Sequence, residues 1–352
     1  MPSDLAPTPS TADPATSGAA SRAAYVVLGM HRSGTSAATQ LLAFAGAQLP
    51  DNVMPGDEHN EKGYFEPWRI AIFNDQRLRA GGGAWDDPFV HPYAEAPDEA
   101  DWRARAQDLF REEYGEARYP LLKDPRVSVL MPLWRPLLEA EGLAVRCVIP
   151  VRHPLAVAGS LARRDEFPPV KSVLLWITYM LGAETGSRGL PRAFVDYDGL
   201  LSDWRSEVAR LEDALGAPLP RMNAYAAARI DGFLSKDLRH NAGEGDLTAL
   251  GPVGVAARDM LAWFRAAAQG AAPDRAPLDA ATALLAEMKL QMGPFVSPVT
   301  RALDIARAKL DDARREREHR AQAEDHLAAE VLRLQAEQRA FEAELDRFLA
   351  RG

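Results

Sequence analysis

Residues 26–42 read VVLGMHRSGTSAATQLL: an apolar run, then Gly29 and Gly34 five residues apart, with a basic pair between them and Thr35-Ser36 behind. A strand that ends in such a loop and passes into a helix over 36–44 builds a cradle for an anion. Loop amides turn inward, and the helix N-terminus adds partial positive charge. A phosphate or a phosphate-like group is the occupant this pattern predicts. In the nucleotide-hydrolase form of the loop, G-x-x-x-x-G-K-[ST], a lysine after the second glycine reaches the terminal phosphates. Here Thr35 stands in that position, and the cation lies two residues before Gly34 as Arg32.

The octapeptide GMHRSGTS resembles the 5'-phosphosulfate loop of sulfotransferases that use 3'-phosphoadenosine 5'-phosphosulfate (PAPS), in which a basic residue precedes Ser-Gly-Thr-Thr or Ser-Gly-Thr-Ser. The resemblance implies that His31, Arg32, Ser33, Gly34, Thr35 and Ser36 hold the phosphosulfate. It sets Arg32 on the oxygen bridging sulfate and phosphate, where the residue also serves the transfer. The same family binds the 3'-phosphate with an arginine at a strand end and a serine eight residues later in the next helix. CVIPVRHPLAVAGSLARR supplies both, as Arg152 and Ser160. Arginine offers a planar fork to phosphate oxygens and serine a hydroxyl. Pro154 suits the first turn of a helix, which puts Ser160 on its second turn. Without the resemblance, the stretch reads as a capped surface helix with a basic end at Arg163 and Arg164.

Sulfuryl transfer parallels phosphoryl transfer: in-line attack, charge spread over three equatorial oxygens, and a protein that supplies positioning, electrostatics and one base. The resemblance places that base, a glutamate or histidine, within a few dozen residues after the loop. DEHNEKGYFEPWRIAIFNDQRL falls there, and its GYFE is similar to a segment of bacterial members. Glu66 is the first candidate, because Gly63-Tyr64-Phe65 offers aromatic surface against which a carboxylate becomes a better base. His59 and Glu61 are rivals, and a solvent-facing carboxylate at a helix start is the plain alternative.

LLKDPR ends another apolar run with Lys123, Asp124 and Arg126. At the carboxyl end of a parallel strand, Lys123 falls near the same crevice and can neutralise transferring oxygens. Asp124 orients Lys123, acts as the base, or forms a structural ion pair with it. In FVDYDGLLSDW, Asp198 reads as the N-cap of a helix carrying Leu200, Leu201 and Trp204. FLSKDLRH, ending in Arg239 and His240, is similar to late basic loops that close over the cofactor. The acceptor loops, 81–92 and 163–171, carry no readable motif; Trp85 and Phe89 either stack on a sugar or pack. His91, His153, His319 and His326 show no metal-ligand spacing, so no metal is expected.

These residues need a scaffold that brings strand ends together. Short apolar runs at 25–28, 121–123, 145–151 and 193–197, separated by helical patterns, predict a parallel sheet of the P-loop NTPase-like α/β class flanked by helices. None of the four alternates with polar residues, so all are expected to be buried on both faces. Residues 1–22, rich in Pro, Ala, Ser and Thr, read as a disordered tail, and 23–297 as the sulfotransferase domain. Beyond Pro298 glycine and proline give way to charged residues, Ala and Leu. Val299, Leu303, Ala306, Leu310, Ala313, Leu327, Val331, Leu334, Phe341, Leu345 and Phe348 fall in one heptad register, so 298–352 reads as a long helix and coiled coil through which the chain oligomerises.

The 352 residues are 47% hydrophobic with a formal net charge of −9, which suits a soluble globular protein and argues against a wholesale nucleic-acid binder while leaving room for a local basic pocket. No apolar run approaches the length of about 20 residues that spans a bilayer. The single cysteine, Cys147, sits in an apolar run and reads as core in a reducing compartment, so the expected location is cytoplasmic. The reading is a bacterial-type PAPS-dependent sulfotransferase acting without a metal on a hydroxyl or amine, with a carbohydrate or lipid acceptor in view. A P-loop kinase for nucleosides or small molecules is the enzyme alternative, and a nucleotide-sensing scaffold the non-catalytic one.

Overall fold

The four apolar runs become β1 (Ala23–Val27), β2 (Leu121–Lys123), β3 (Ala144–Val151) and β4 (Arg192–Asp196). All are parallel, in the order β2-β1-β3-β4. The computed structural model describes residues 22–56, 63–234 and 245–350. Between and after the strands run α1 (Thr35–Phe44), α2 (Trp68–Ala80), α3 (Glu99–Tyr114), α4 (Val127–Ala140), α5 (Pro154–Asp165), α6 (Pro169–Ser187), α7 (Tyr197–Ser202), α8 (Trp204–Leu215), α9 (Ala224–Phe233), α10 (Gly251–Ala268) and α11 (Ala276–Leu349).

The two-residue period of a strand explains the unbroken apolar runs. In β1, Ala24 and Val26 face one core with the β3 residues Val145, Cys147 and Ile149, while Tyr25 and Val27 face the other. Helices α4, α5, α6 and α10 cover the first face, and α1, α7 and α8 the second. Burial pushes the Cys147 thiol up to about 12, as befits a core side chain. Helix α6 is apolar all round because it is buried all round, through Trp176, Ile177 and Tyr179. No helix among the described residues is long and apolar enough to cross a membrane.

Three local expectations change. Strand β4 is an edge strand and alternates between buried and half-buried residues, so burial on both faces holds for β1 and not for β4. The cap of α7 is Asp196, whose Oδ2 accepts from the Gly199 amide at 2.9 Å; Asp198 lies in the first turn. Trp204 belongs to the next helix, which Asp203 caps through the Ser206 amide. Asp196 and Asp198 both precede the same short apolar pattern, and the chain's exit from β4 decides which aspartate reaches the free amides of α7.

The composition change near 297 falls inside α11, which starts at Ala276 and continues through Pro294 and Pro298. Its first turns pack on the body through Leu278, Ala281 and Leu285. Further on, Asp304 meets Arg79 at 2.5 Å, Arg307 lies 3.6 Å from Asp86, and the Arg315 guanidinium sits 5.6 Å from the Trp68 ring centroid.

Candidate active site

Every strand ends at the same edge of the sheet, which gathers the loop after β1, Lys123 of β2, Arg152 after β3 and Tyr197 after β4. The loop turns through left-handed backbone at Arg32 (φ 67) and Gly34 (φ 93) before α1 begins at Thr35. Ser128 of α4 pins its start: Ser128 Oγ accepts from the Gly29 amide at 2.8 Å and donates to the Gly29 carbonyl at 3.2 Å. Ser33 and Thr35 are buried, and Ser33 Oγ has no hydrogen-bond partner among the described residues. An orphaned buried hydroxyl in this glycine-bearing loop fits a ligand oxygen.

The second anion motif meets the first. The helix α5 starts at Pro154, as the proline predicts, and His153 caps it by accepting from the Leu155 amide. Ser160 is buried on the second turn, where its Oγ accepts from Arg32 Nε at 2.8 Å. Arg152 Nη1 donates to the Arg32 carbonyl at 2.9 Å, and its guanidinium lies 4.5 Å from the Tyr197 ring centroid. The helix is thus turned inward at Ser160 and is not a plain surface helix.

Glu66 closes the other side. Its segment is tied to the loop and to β2 through one carbonyl, that of Tyr64, which accepts from Ser36 Oγ at 3.3 Å and from Lys123 Nζ at 2.7 Å. Lys123 also donates to Glu66 Oε1 at 2.7 Å, and Arg126 Nη1 lies 3.7 Å from Glu66 Oε2. The carboxylate is therefore 4% exposed and held by two cations, where the sequence suggested an aromatic packing surface. Phe65 turns away to Phe233.

A cleft of about 380 Å³ opens over this carboxylate, lined by His31, Tyr64, Trp68, Trp85, Arg126 and Arg164 together with Glu66. A second groove of about 610 Å³ continues from it beneath α11, sharing Trp68, Trp85 and Arg164. The loops 81–92 and 163–171 do meet: Trp85 stacks on Phe167 at 5.8 Å, and Lys171 pairs with Asp86 at 2.8 Å. Phe89 is core, so of the two candidate rings Trp85 and Phe89 it is Trp85 that lines the cleft.

Asp124 is fully buried away from the cleft lining. Asn74 donates to its Oδ2 at 2.7 Å and Arg126 to its Oδ1 at 2.9 Å. Burial raises its pKa, against the pull of Arg126. Its geometry is that of a residue holding Arg126 in place. His59, Glu61, Arg239 and His240 lie outside the described residues. Among the described residues, no group of three or more His, Cys, Asp or Glu could hold a metal ion.

Sequence reading passed over Ser128, Asn74, Trp68 and Tyr197, which act from three elements, α4, α2 and α7. Two of them carried a local signal by nearness to a strand end: Tyr197, directly after β4, and Ser128, shortly after β2.

The parallel sheet, the glycine-bearing loop after its first strand and the helix springing from that loop define a P-loop-like α/β protein. No protein-family model matches the chain, and no curated protein matches its sequence. Among solved structures it is similar to the sulfotransferase domain from the curacin biosynthetic pathway, 14% identical over 68% of this chain and 98% of that one, with a TM-score of 0.40. It is also similar to the sulfotransferase domain from the Synechococcus PCC 7002 olefin synthase, 17% identical over 75% of this chain and 95% of that one, with a TM-score of 0.38.

Proposed function

We propose that the chain is a PAPS-dependent sulfotransferase that moves a sulfuryl group to a hydroxyl or amine, with a carbohydrate or lipid acceptor in view. The observation that carries this reading is the hydrogen bond from Arg32 to Ser160, with Arg152 on the Arg32 carbonyl. It joins two anion motifs, 120 residues apart in sequence, into one basic corner beside a loop that carries an orphaned serine hydroxyl. A kinase loop would set a lysine at position 35; here that residue is a buried threonine.

In this reading the loop residues Arg32 to Ser36 hold the 5' end of PAPS, and Arg152 and Ser160 hold its 3'-phosphate. Arg32 sits on the bridging oxygen and Lys123 steadies the transferring oxygens. The acceptor oxygen bonds to sulfur as the sulfur bond to the bridging oxygen breaks. That electron pair stays with the departing 5'-phosphate, and the acceptor's proton passes to the Glu66 carboxylate. Lys123 and Arg126 fix the carboxylate's orientation, which a base must have before it can act.

Calorimetric titration with adenosine 3',5'-bisphosphate, against 5'-AMP and magnesium-ATP, tests the cofactor assignment. Tight, magnesium-independent binding that requires the 3'-phosphate is expected. Arg152→Ala and Ser160→Ala are each expected to weaken the bisphosphate about tenfold or more, the worth of one charge-assisted hydrogen bond, and 5'-AMP far less. Equal losses for both ligands, or a preference for magnesium-ATP, overturn the assignment.

We also infer that a second copy of the chain covers the distal half of α11. Leu327 and Phe341 are 62% and 68% exposed there, and with Val331, Leu334 and Leu345 they lie on one heptad seam that a single chain leaves uncovered. A chain ending at Glu318 keeps the contacts of Asp304, Arg307 and Arg315 with the body. Light scattering is expected to show more than the monomer mass for the full chain and the monomer mass for the shortened one. An unchanged oligomeric state rejects the seam.

A further inference from the structure

Consecutive residues of the loop serve different sides of the site. The Arg32 guanidinium reaches Ser160 on α5, whereas the His31 ring lies against Trp85, with centroids 4.9 Å apart, and edge-on to Tyr179 at 5.8 Å. The left-handed backbone at Arg32 makes this divergence possible, because it reverses the chain within one residue. His31 consequently lines the cleft with Glu66, Trp68 and Trp85, away from the corner of Arg152 and Ser160.

The His31 imidazole is only 7% exposed, and its Nε2 is buried with no hydrogen-bond partner among the described residues. Buried polar side chains are nearly always paired, so an unpaired nitrogen on a side chain that lines a cleft marks a place where a ligand supplies the partner. Nearby groups are otherwise engaged. Glu66 is held by Lys123, and the Tyr179 hydroxyl donates to the Trp85 carbonyl at 2.7 Å, which fixes the indole.

We propose that His31 is the acceptor-side residue of the loop: its Nε2 makes the hydrogen bond that positions an uncharged, ring-borne hydroxyl in the cleft of Trp68 and Trp85, beside Glu66. The proposal deepens the sulfotransferase reading and rests on it for the identity of the group transferred. Three features carry it further. The half-buried indoles of Trp68 and Trp85 offer flat apolar surface to a ring. Among the described residues the charged lining of the cleft balances, Arg126 and Arg164 against Glu66 and Asp165, so these side chains together favour an uncharged acceptor. Burial, and then the positive charges of Arg126, Arg164, Lys123 and Arg32, hold His31 well below the usual histidine range. Its ring is therefore neutral at pH 7, able to orient a hydroxyl and poorly disposed to take its proton, which is left for Glu66.

The test uses the full chain and 2-naphthol, a neutral ring-borne hydroxyl, titrated calorimetrically into protein saturated with adenosine 3',5'-bisphosphate. Wild-type protein is expected to bind 2-naphthol. His31→Phe keeps the ring contacts with Trp85 and is expected to weaken that binding about tenfold, the worth of one hydrogen bond, while the bisphosphate affinity stays unchanged. His31→Gln, which restores a polar nitrogen near the Nε2 position, is expected to return it to within about threefold of wild type. Three results overturn the proposal: no binding of 2-naphthol to wild-type protein, equal binding to His31→Phe, or a His31→Phe variant that loses the bisphosphate and 2-naphthol alike. Wild-type protein that fails to bind the bisphosphate instead overturns the cofactor reading, and the same 2-naphthol titrations on the free protein then still read His31.

Discussion

Glu66→Gln is expected to lower sulfuryl transfer by about 10² to 10⁴, the usual worth of a general base, while the affinity for adenosine 3',5'-bisphosphate stays near normal. Glutamine keeps the length and shape of the side chain, and its amide oxygen can still accept from Lys123. The Tyr64 carbonyl, 2.7 Å from Lys123 Nζ, accepts from the same ammonium. What the substitution removes is the capacity to accept a proton. Truncation would be less informative. Removing one partner of a buried ion pair strands the other, at a cost of about 3–5 kcal/mol, so Glu66→Ala confounds catalysis with folding.

The ion pair also sharpens the comparison with Asp124. Both carboxylates are buried near Arg126, but Glu66 lines the cleft and Asp124 does not. Asp124→Asn should therefore act mainly through stability and through the placement of Arg126, lowering the thermal midpoint and leaving a residual activity that rises when the protein is assayed well below that midpoint. Glu66→Gln should show the reverse emphasis, a midpoint lowered less than by Glu66→Ala and a turnover that cooling does not restore. Unchanged turnover in Glu66→Gln removes the base from this position and directs attention to His59 and Glu61.

The inner strands of the sheet were legible because they are buried on two sides. A strand such as β1, with Ala24 and Val26 in one core and Tyr25 and Val27 in the other, must be apolar throughout, and such runs stand out. The loop was legible for a similar reason: its chemistry is local, confined to eight consecutive residues. Contacts made across the fold were not. No spacing rule relates Arg32 to Ser160, 128 residues away, or the Tyr64 carbonyl to Lys123, 59 residues away. The setting of Glu66 illustrates the limit. Neighbouring Tyr64 and Phe65 suggested an aromatic pocket, yet the positive φ of Phe65 (58°) turns that ring outward, and the nearest partner of the carboxylate comes from β2. Helix α11 was legible as a helix, but its role as a wall of the outer groove depends on Asp304, Arg307 and Arg315 meeting a surface some 200 residues earlier in the chain, which a heptad count cannot foresee.

Gly34→Ala is expected to damage the site severely, because two independent costs coincide. Gly34 has φ 93, a conformation that L side chains rarely adopt and that costs alanine about 1–2 kcal/mol. A Cβ built there would also lie 2.2 Å from Tyr197 Cδ2, so either the ring or the loop must move. Tyr197 is buried and carries the Arg152 guanidinium on its face, so displacing it disturbs the proposed 3'-phosphate corner as well as the 5' loop. Losing two charge-assisted hydrogen bonds of about 1.5–3 kcal/mol each corresponds to a fall of at least about a hundredfold in bisphosphate affinity. A double-mutant cycle separates the two costs. In a Tyr197→Ala background the overlap is gone and only the backbone penalty remains, so Gly34→Ala should then cost less than it does beside the tyrosine. Strict additivity would show that the ring yields freely and that backbone conformation alone fixes glycine at this position.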